Sequence, residues 1–312
     1  MRAGNSISDY PGKKDQLINE YRRFMPSDRI NTVYETHAGT LSVTRNLLKP
    51  ELRANRYIAT ELDRGMYCLL HQIQTDPERL VNALHKSEYS QLEFDIAKLI
   101  ESDGWEDMSE TAVAYCRYVL LNQSFNASCK SWRGYTVANE RRYFSNIENF
   151  IFNGNDELQG IELINEDMMK LVDDYLCMED AFIFIDSPYE NSLRSESLYA
   201  QETTSDWHDD FLKKIRDLKA QNKLHAKVMI CGYCNENLAA DKYNKSLLTS
   251  GFTLYKVKDT IRPTVIREGM CPRKGTASEY IWINYEPMDR DSILSENIYT
   301  YQRVFGTHSI KI

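Results

Sequence analysis

The sequence has no apolar run approaching the roughly eighteen residues that cross a bilayer, and its first residues, MRAGNSISDY, contain no hydrophobic segment. No membrane span and no secretory leader are expected, so the chain is expected to work in the cytoplasm. Its 7 cysteines keep no regular spacing, which speaks against a disulfide framework and for a reducing compartment. Cys231 and Cys234 have redox-motif spacing, but a zinc site would need a second pair and only Cys271 follows. The 6 histidines form no ligand cluster, and no metal is expected. Internal repeats and low-complexity segments are missing as well. Positive charge is not in excess: the net charge is −8, which excludes a protein that coats nucleic acid over its whole surface.

What is present is the make-up of a soluble globular protein, 42% hydrophobic and 27% charged over 312 residues, enough to bury a sizeable core. Helical periodicity over 14–24 is followed by a short strand at 32–34 that runs into Glu35. A glycine-containing turn, a helix over 38–48 and a strand at 56–60 come next, the last ending at Glu61. Strand, glycine turn, helix, strand and acid make the opening of a nucleotide-type α/β fold. From 64 to 121 the pattern is helical, with Ala112, Tyr115, Cys116, Val119 and Leu120 at helical spacing. Strand patterns return at 161–164, 182–185, 227–231, 252–257 and 280–284, with helices expected over 207–218 and 235–248. Residues 1–63 and 161–312 therefore read as one sheet, interrupted by a mostly helical insertion over 64–160.

Open α/β sheets bind ligands beyond the carboxyl ends of their strands. Three expected strands lead into an acid at that edge: Glu61, Asp167 and Asp186. An acid after the second strand can accept hydrogen bonds from both ribose hydroxyls of an adenosine-containing cofactor, although a solvated strand end is the more common reason for one. Gly39, in the turn after the first strand, lets a cofactor approach the backbone, or simply closes the turn.

The stretch FIFIDSPYE, 182–190, couples a buried strand to Asp186, Ser187, Pro188 and Tyr189. By itself it is a strand that stops at a proline turn. An exocyclic aromatic amine such as adenine N6 would find more there. Its lone pair is delocalised into the ring, so a site must accept its N–H bonds and favour tetrahedral nitrogen. The Asp186 carboxylate can accept one such bond and the Ser187 carbonyl another. Pro188 biases Ser187 towards an extended backbone, and Tyr189 offers a face for stacking worth about 1–3 kcal/mol.

Two windows are locally basic. Within 128–145, Lys130, Arg133, Arg141 and Arg142 face Glu140 alone, and Trp132, Tyr135 and Tyr143 are interleaved. Within 254–275, Lys256, Lys258, Arg262, Arg267, Arg273 and Lys274 outnumber Asp259 and Glu268. Each reads either as a solvated loop or as a nucleic-acid surface.

Taken in order, these segments resemble the Dam-like class of DNA adenine-N6 methyltransferases. The family signature Asp-Pro-Pro-Tyr is matched by Asp186, Ser187, Pro188 and Tyr189, with serine in place of the first proline. Its N-terminal aromatic–x–Gly–Gly–Lys–x–x–Leu segment is matched by Tyr10, Gly12, Lys14 and Leu17, with Lys13 replacing the second glycine. The cofactor loop Glu-Pro-Phe-Ala-Gly-x-Gly keeps Glu35, Ala38 and Gly39 but departs at Thr36, His37 and Leu41. YVLLNQSFNAS, 118–128, is similar to Leu-Asn-Arg-x-x-Phe-Asn-Gly, with Asn122, Phe125 and Asn126 in register. VMICGYCNENL and EYIWINYEP look like a later core strand and the closing strand. The similarity spans about residues 8–287.

The resemblance implies a Rossmann-like methyltransferase sheet and S-adenosylmethionine as cofactor. Tyr10, Gly12, Lys14, Glu35, His37, Ala38, Gly39, Glu61 and Asp167 would line the cofactor and adenine sites. It implies double-stranded DNA as partner, with the adenine flipped out and a restriction endonuclease as a companion of the same system. The insertion 64–160 becomes a target-recognition region. Asn122, Phe125, Asn126, Lys130, Arg133, Arg141 and Arg142 are its DNA-contacting candidates, the basic ones in an aromatic hairpin at 128–145. Two other functions stay open at this stage: a non-catalytic DNA-binding protein on the same scaffold, and a methyltransferase for cytosine N4 or an RNA base.

Overall fold

A computed structural model describes residues 10, 14–105, 107–188, 203–234, 237–261 and 276–306. The expectations on Gly12 and Tyr189, and on the 262–275 part of the second basic window, lie outside the described residues.

The strands are β1 (Thr32–Thr36), β2 (Arg56–Thr60), β3 (Ile161–Ile164), β4 (Ala181–Ile185), β5 (Lys227–Gly232), β6 (Thr253–Ile261), β7 (Thr276–Ile283) and β8 (Ile298–Tyr299). The helices up to β3 are α1 (Ile18–Arg22), α2 (Lys49–Leu52), α3 (Arg64–Thr75), α4 (Pro77–Leu84), α5 (Gln91–Ser102), α6 (Glu110–Gln123) and α7 (Val137–Leu158). After it come α8 (Val172–Leu176), α9 (Ser205–Ala220), α10 (Lys242–Leu247) and α11 (Tyr301–Phe305).

Strand order is β3-β2-β1-β4-β5-β7-β6-β8. β2 and β3 are parallel with Tyr57 opposite Ile161, and β4 and β5 are parallel with Ile183 opposite Val228. β7 runs antiparallel to both β5 and β6. The fold is a mixed, Rossmann-like sheet: a doubly wound order followed by a reversed strand. β4 and β5 read as nearly continuous apolar runs because both faces are covered. In β4, Phe182, Ile183, Phe184 and Ile185 are all fully buried, and each contributes about 1.5–3 kcal/mol of hydrophobic stabilisation.

The chain divides into two compact units, the first holding the described residues up to 18 and 35–170, the second 19–34, 171–188 and those from 203 on. β1 passes from the second unit into the first after Tyr34. In the first unit α6 is the inner helix, packed by α3, α4 and α5. Val113, Ala114, Cys116 and Val119 to Leu121 are buried on it, together with Arg117, Asn122 and Gln123. The segment 64–160 shares this unit with β2 and β3. In the second unit α9 and α10 pack together.

Side-chain caps mark the helix starts. Asp63, Asp76, Ser90, Ser109, Thr136, Thr204 and Asp241 each accept a hydrogen bond from a first-turn amide, typically worth about 1 kcal/mol apiece. Two of them correct the sequence expectations. Thr136 starts α7 at Val137, so 128–145 is not a hairpin; it is a loop with one bridge, Ser124 to Trp132, followed by helix. Asp241 starts a helix over Lys242–Leu247, and the described residues 237–241 of the helix expected over 235–248 are not helical. The helix expected over 38–48 begins later: residues 37–41 form a turn, and Thr44–Leu48 is π-helical.

Candidate active site

In the first unit, the turn after β1 has left-handed backbone at His37 (φ 54°), Gly39 (φ 51°) and Leu41 (φ 54°). Gly39 needs its missing side chain, because a Cβ there would come within 2.9 Å of the Tyr10 ring. Leu41 keeps the backbone form that favours glycine, and its side chain is fully buried. The turn is tied to β2 by the Ala38 amide, which donates to the Thr60 carbonyl at 2.9 Å.

Glu61 organises the end of β2. Its Oε2 accepts from the Gly39 amide at 2.8 Å and its Oε1 from the Asp63 amide at 2.9 Å. Burial, then the neighbouring Asp63 charge, pushes its carboxyl up to about 7. Two amide donors leave further acceptor positions on a carboxylate, and the Tyr10 ring lies against the Gly39 backbone beside it. These remaining acceptor positions fit the hydroxyls of the ribose of an adenosine-containing cofactor.

The other candidates of this unit have visible local partners. Glu35 is buried and accepts from the Thr44 amide at 2.9 Å, capping the turn that follows. The Lys14 amide donates to Ser42 Oγ at 3.3 Å, which brings the N-terminal segment to the same turn. His37 Nδ1 meets Thr36 Oγ1 at 3.0 Å. Asp167 Oδ1 accepts from the Met169 amide at 2.9 Å, while Asn165 of the same turn donates to the Glu61 carbonyl at 2.7 Å. Thus Tyr10, Lys14, Glu35, His37, Ala38, Gly39, Glu61 and Asp167 are gathered on connected backbone.

Sequence reading missed three residues here. Arg45 is buried, donates from Nε to the Thr40 carbonyl at 3.1 Å and pairs with Glu157. Burial lowers its pKa to about 10. Asp63 is the cap of α3, and Arg117 of α6 donates to Asp63 Oδ1 at 2.7 Å. Asp63 in front of a helical run is the only one of the three with a cap signal in the sequence.

The second unit carries Asp186, Ser187 and Pro188 directly after β4, with Ser187 and Pro188 buried. Tyr21, fully buried, points its hydroxyl to Glu279 at 3.4 Å. Its phenol pKa is raised by burial first, then by the charges of Cys231, Glu279 and Asp186.

The DNA-contacting candidates divide by exposure. Asn122 is buried and donates to the Tyr118 carbonyl at 2.9 Å within α6. Phe125 is 57% exposed, and Asn126 beside it is exposed with φ 52°. Arg133 braces the loop: its amide donates to the Gln123 carbonyl at 2.8 Å and its Nε to the Ser124 carbonyl at 3.0 Å. Lys130, Arg141 and Arg142 are exposed. Among the described residues no helix is long and apolar enough to cross a membrane.

Comparison with protein-family models matches residues 10–262 to the D12 class N6 adenine-specific DNA methyltransferases. The chain belongs to this family. The D12 class enzyme is therefore a methyltransferase that acts on adenine N6 of DNA. Comparison with curated proteins gives no match. Among solved structures the D12 class enzyme is similar to the rRNA methyltransferase aviRa from Streptomyces viridochromogenes, at 11% identity, 90% coverage of each chain and a TM-score of 0.30.

Proposed function

We propose that this D12 class enzyme methylates adenine at a specific sequence in double-stranded DNA, with S-adenosylmethionine as donor and with the target adenine flipped out of the duplex. The observation that carries this reading is the Glu61 carboxylate held by the Gly39 and Asp63 amides, together with the sequence Asp186-Ser187-Pro188 at the end of a buried strand. S-adenosylmethionine supplies a methyl group activated by a sulfonium. Glu61 accepts its ribose hydroxyls, and Tyr10, Gly12, Lys14, Glu35, His37, Ala38, Gly39 and Asp167 line its site. Asp186 and the Ser187 carbonyl accept the two N–H bonds of adenine N6, which draws the nitrogen lone pair out of ring conjugation. Pro188 keeps that carbonyl presented, and Tyr189 stacks on the flipped base.

In the same reading, 64–160 is the target-recognition region of a catalytic domain formed by 1–63 and 161–312. Phe125 and Asn126 reach bases, while Lys130, Arg141 and Arg142 hold phosphates. Arg133 shapes the loop, and buried Asn122 supports it from within α6. The enzyme works in the cytoplasm, paired with a restriction endonuclease whose cleavage its product blocks.

The test is transfer of labelled methyl to unmethylated plasmid, followed by nucleoside analysis. Wild type should yield N6-methyladenine, and Asp186→Ala should lose about 100-fold or more of the rate, as expected when a group aimed at the reacting centre is removed. N4-methylcytosine as product would overturn the choice of base. An Asp186→Ala variant as fast as wild type would overturn the choice of residue.

A further inference from the structure

The Pro188 carbonyl is held by a side chain from the segment that leads into α9. The Thr203 hydroxyl donates to it at 2.9 Å, and the same oxygen stands 2.8 Å from His208 Nε2. His208 Nδ1 in turn meets the Tyr243 hydroxyl. His208 lies in the first turn of α9 with only 1% exposure, where a ring nitrogen without a partner would be costly.

Donor bookkeeping sets the direction of the whole chain. A carbonyl oxygen only accepts, so the single Thr203 hydroxyl proton is committed to Pro188. The Thr203 oxygen must then accept, which puts the imidazole proton on Nε2. Nδ1 of the neutral ring is left as an acceptor, and Tyr243 donates to it. All three bonds run one way, from α10 through α9 to the backbone beside Asp186.

The far end is anchored too. Tyr243 packs against Trp282 with centroids 5.5 Å apart, and the Trp282 indole donates to Asn244 Oδ1 at 2.7 Å. α9 and α10 are further tied by Lys242 to Asp209 at 2.9 Å and Arg216 to Ser246 at 3.0 Å. The relay therefore starts from packed core.

We infer that Thr203 and His208 are positioning residues of the methyl-transfer site, holding the Pro188 carbonyl so that Ser187 and Asp186 keep a fixed aim. The inference rests on the function proposed above. The pyrrolidine ring already fixes φ of Pro188, and a hydrogen bond on its carbonyl fixes ψ. The two peptide planes flanking Pro188 then turn together, and one of them carries the Ser187 carbonyl. The restraint lies next to the position where serine stands in place of a proline ring, and it offsets part of the freedom that the serine restores.

The experiment compares Thr203→Val, Thr203→Ser and Asp186→Ala with wild type in single-turnover methyl transfer, S-adenosylmethionine calorimetry and imidazole nitrogen NMR. Thr203→Val should slow transfer about five- to tenfold, the effect of one neutral hydrogen bond, with cofactor affinity unchanged. Thr203→Ser, which keeps the hydroxyl, should transfer within about twofold of wild type. Wild-type His208 should show the Nε2–H tautomer, and Thr203→Val should let the Nδ1–H form appear. Thr203→Val at the wild-type rate while Asp186→Ala is inactive would overturn the inference alone. A folded Thr203→Ser as slow as Thr203→Val, or an Nδ1–H ring in wild type, would overturn it equally. No transfer from wild type overturns the proposed function instead.

Discussion

The Gly39 amide donates to Glu61 Oε2 at 2.8 Å, joining the turn after β1 to the end of β2. Because burial and then Asp63 raise the Glu61 carboxyl from 4.5 to about 7, its proton is a variable of the cofactor binding proposed for it. Between those values the folded protein holds a proton that the unfolded chain has released. The contribution of Glu61 to stability is therefore fully present below about pH 4.5 and is lost as pH rises through 7. Cofactor binding has the opposite slope, since two ribose hydroxyls need an acceptor and the ionised carboxylate is the better one. Calorimetry from about pH 6 to about pH 8 should show S-adenosylmethionine binding tighten, by at most about tenfold per unit. Glu61→Gln should bind more weakly and without that slope.

Leu41 stands where the family has a glycine, and restoring the glycine should not help. A left-handed leucine costs about 1–2 kcal/mol, but truncating a buried leucine costs about 2–5 kcal/mol. Since the Leu41 side chain is fully buried, the burial term is the larger. Leu41→Gly should lower stability by about 1–3 kcal/mol in urea titration, and it should not tighten S-adenosylmethionine binding. Tighter binding in the variant would mean that the side chain obstructs the cofactor.

Much of this was legible in the sequence, because the signals were local. The run 182–185 is apolar throughout and ends at an acid, which suffices for a buried parallel strand. β2 and β3 also fall on the expected residues. What was not legible depends on distant partners or on caps. Thr136 turns an apparent aromatic hairpin into the start of α7. Nothing in the order of residues says that Arg117 would meet Asp63, or that Thr203 would reach Pro188. Asn122 matches a family motif, but burial in α6 limits it to an internal bond. Among the described candidates, packing decided what each side chain touches.

Arg117 should be among the most costly residues of the first unit to replace. Its guanidinium is buried, reaches Asp63 at 2.7 Å and Glu101 at 3.0 Å, and lies over the Trp105 ring. Burial alone would lower its pKa, but Asp63, Cys129 and Glu101 raise it. Arg117→Met leaves Asp63 without its cation and Glu101 with Lys98 alone, and it should destabilise the protein by about 3–5 kcal/mol. Because Arg117 also lowers the Glu61 pKa, the same variant should move the binding transition of Glu61 to higher pH. Arg117→Lys should recover only part of the stability, since a point charge does not reproduce the fork between two carboxylates. A Gly65→Ala variant approaches the same effect from the other side, because its Cβ would lie 2.3 Å from Arg117 Nε.

Arg141 and Arg142 are exposed in the second turn of α7, and Phe125 is exposed on the loop before it. Phosphate and base contacts leave different signatures, so the proposed roles can be told apart. Removing a phosphate contact releases one fewer counterion and lowers the slope of log affinity against log salt by about 0.9, whatever the DNA sequence. The double variant Arg141→Ala/Arg142→Ala should lose up to about twice that, on specific and non-specific duplexes alike. Phe125→Ala should leave the slope unchanged and weaken binding to the cognate duplex by about 1–3 kcal/mol, the usual contribution of a base-stacking ring. Fluorescence anisotropy over a salt series measures both. If the double arginine variant keeps the full slope, the phosphate-binding surface is not on α7, and Lys130 becomes the next residue to replace.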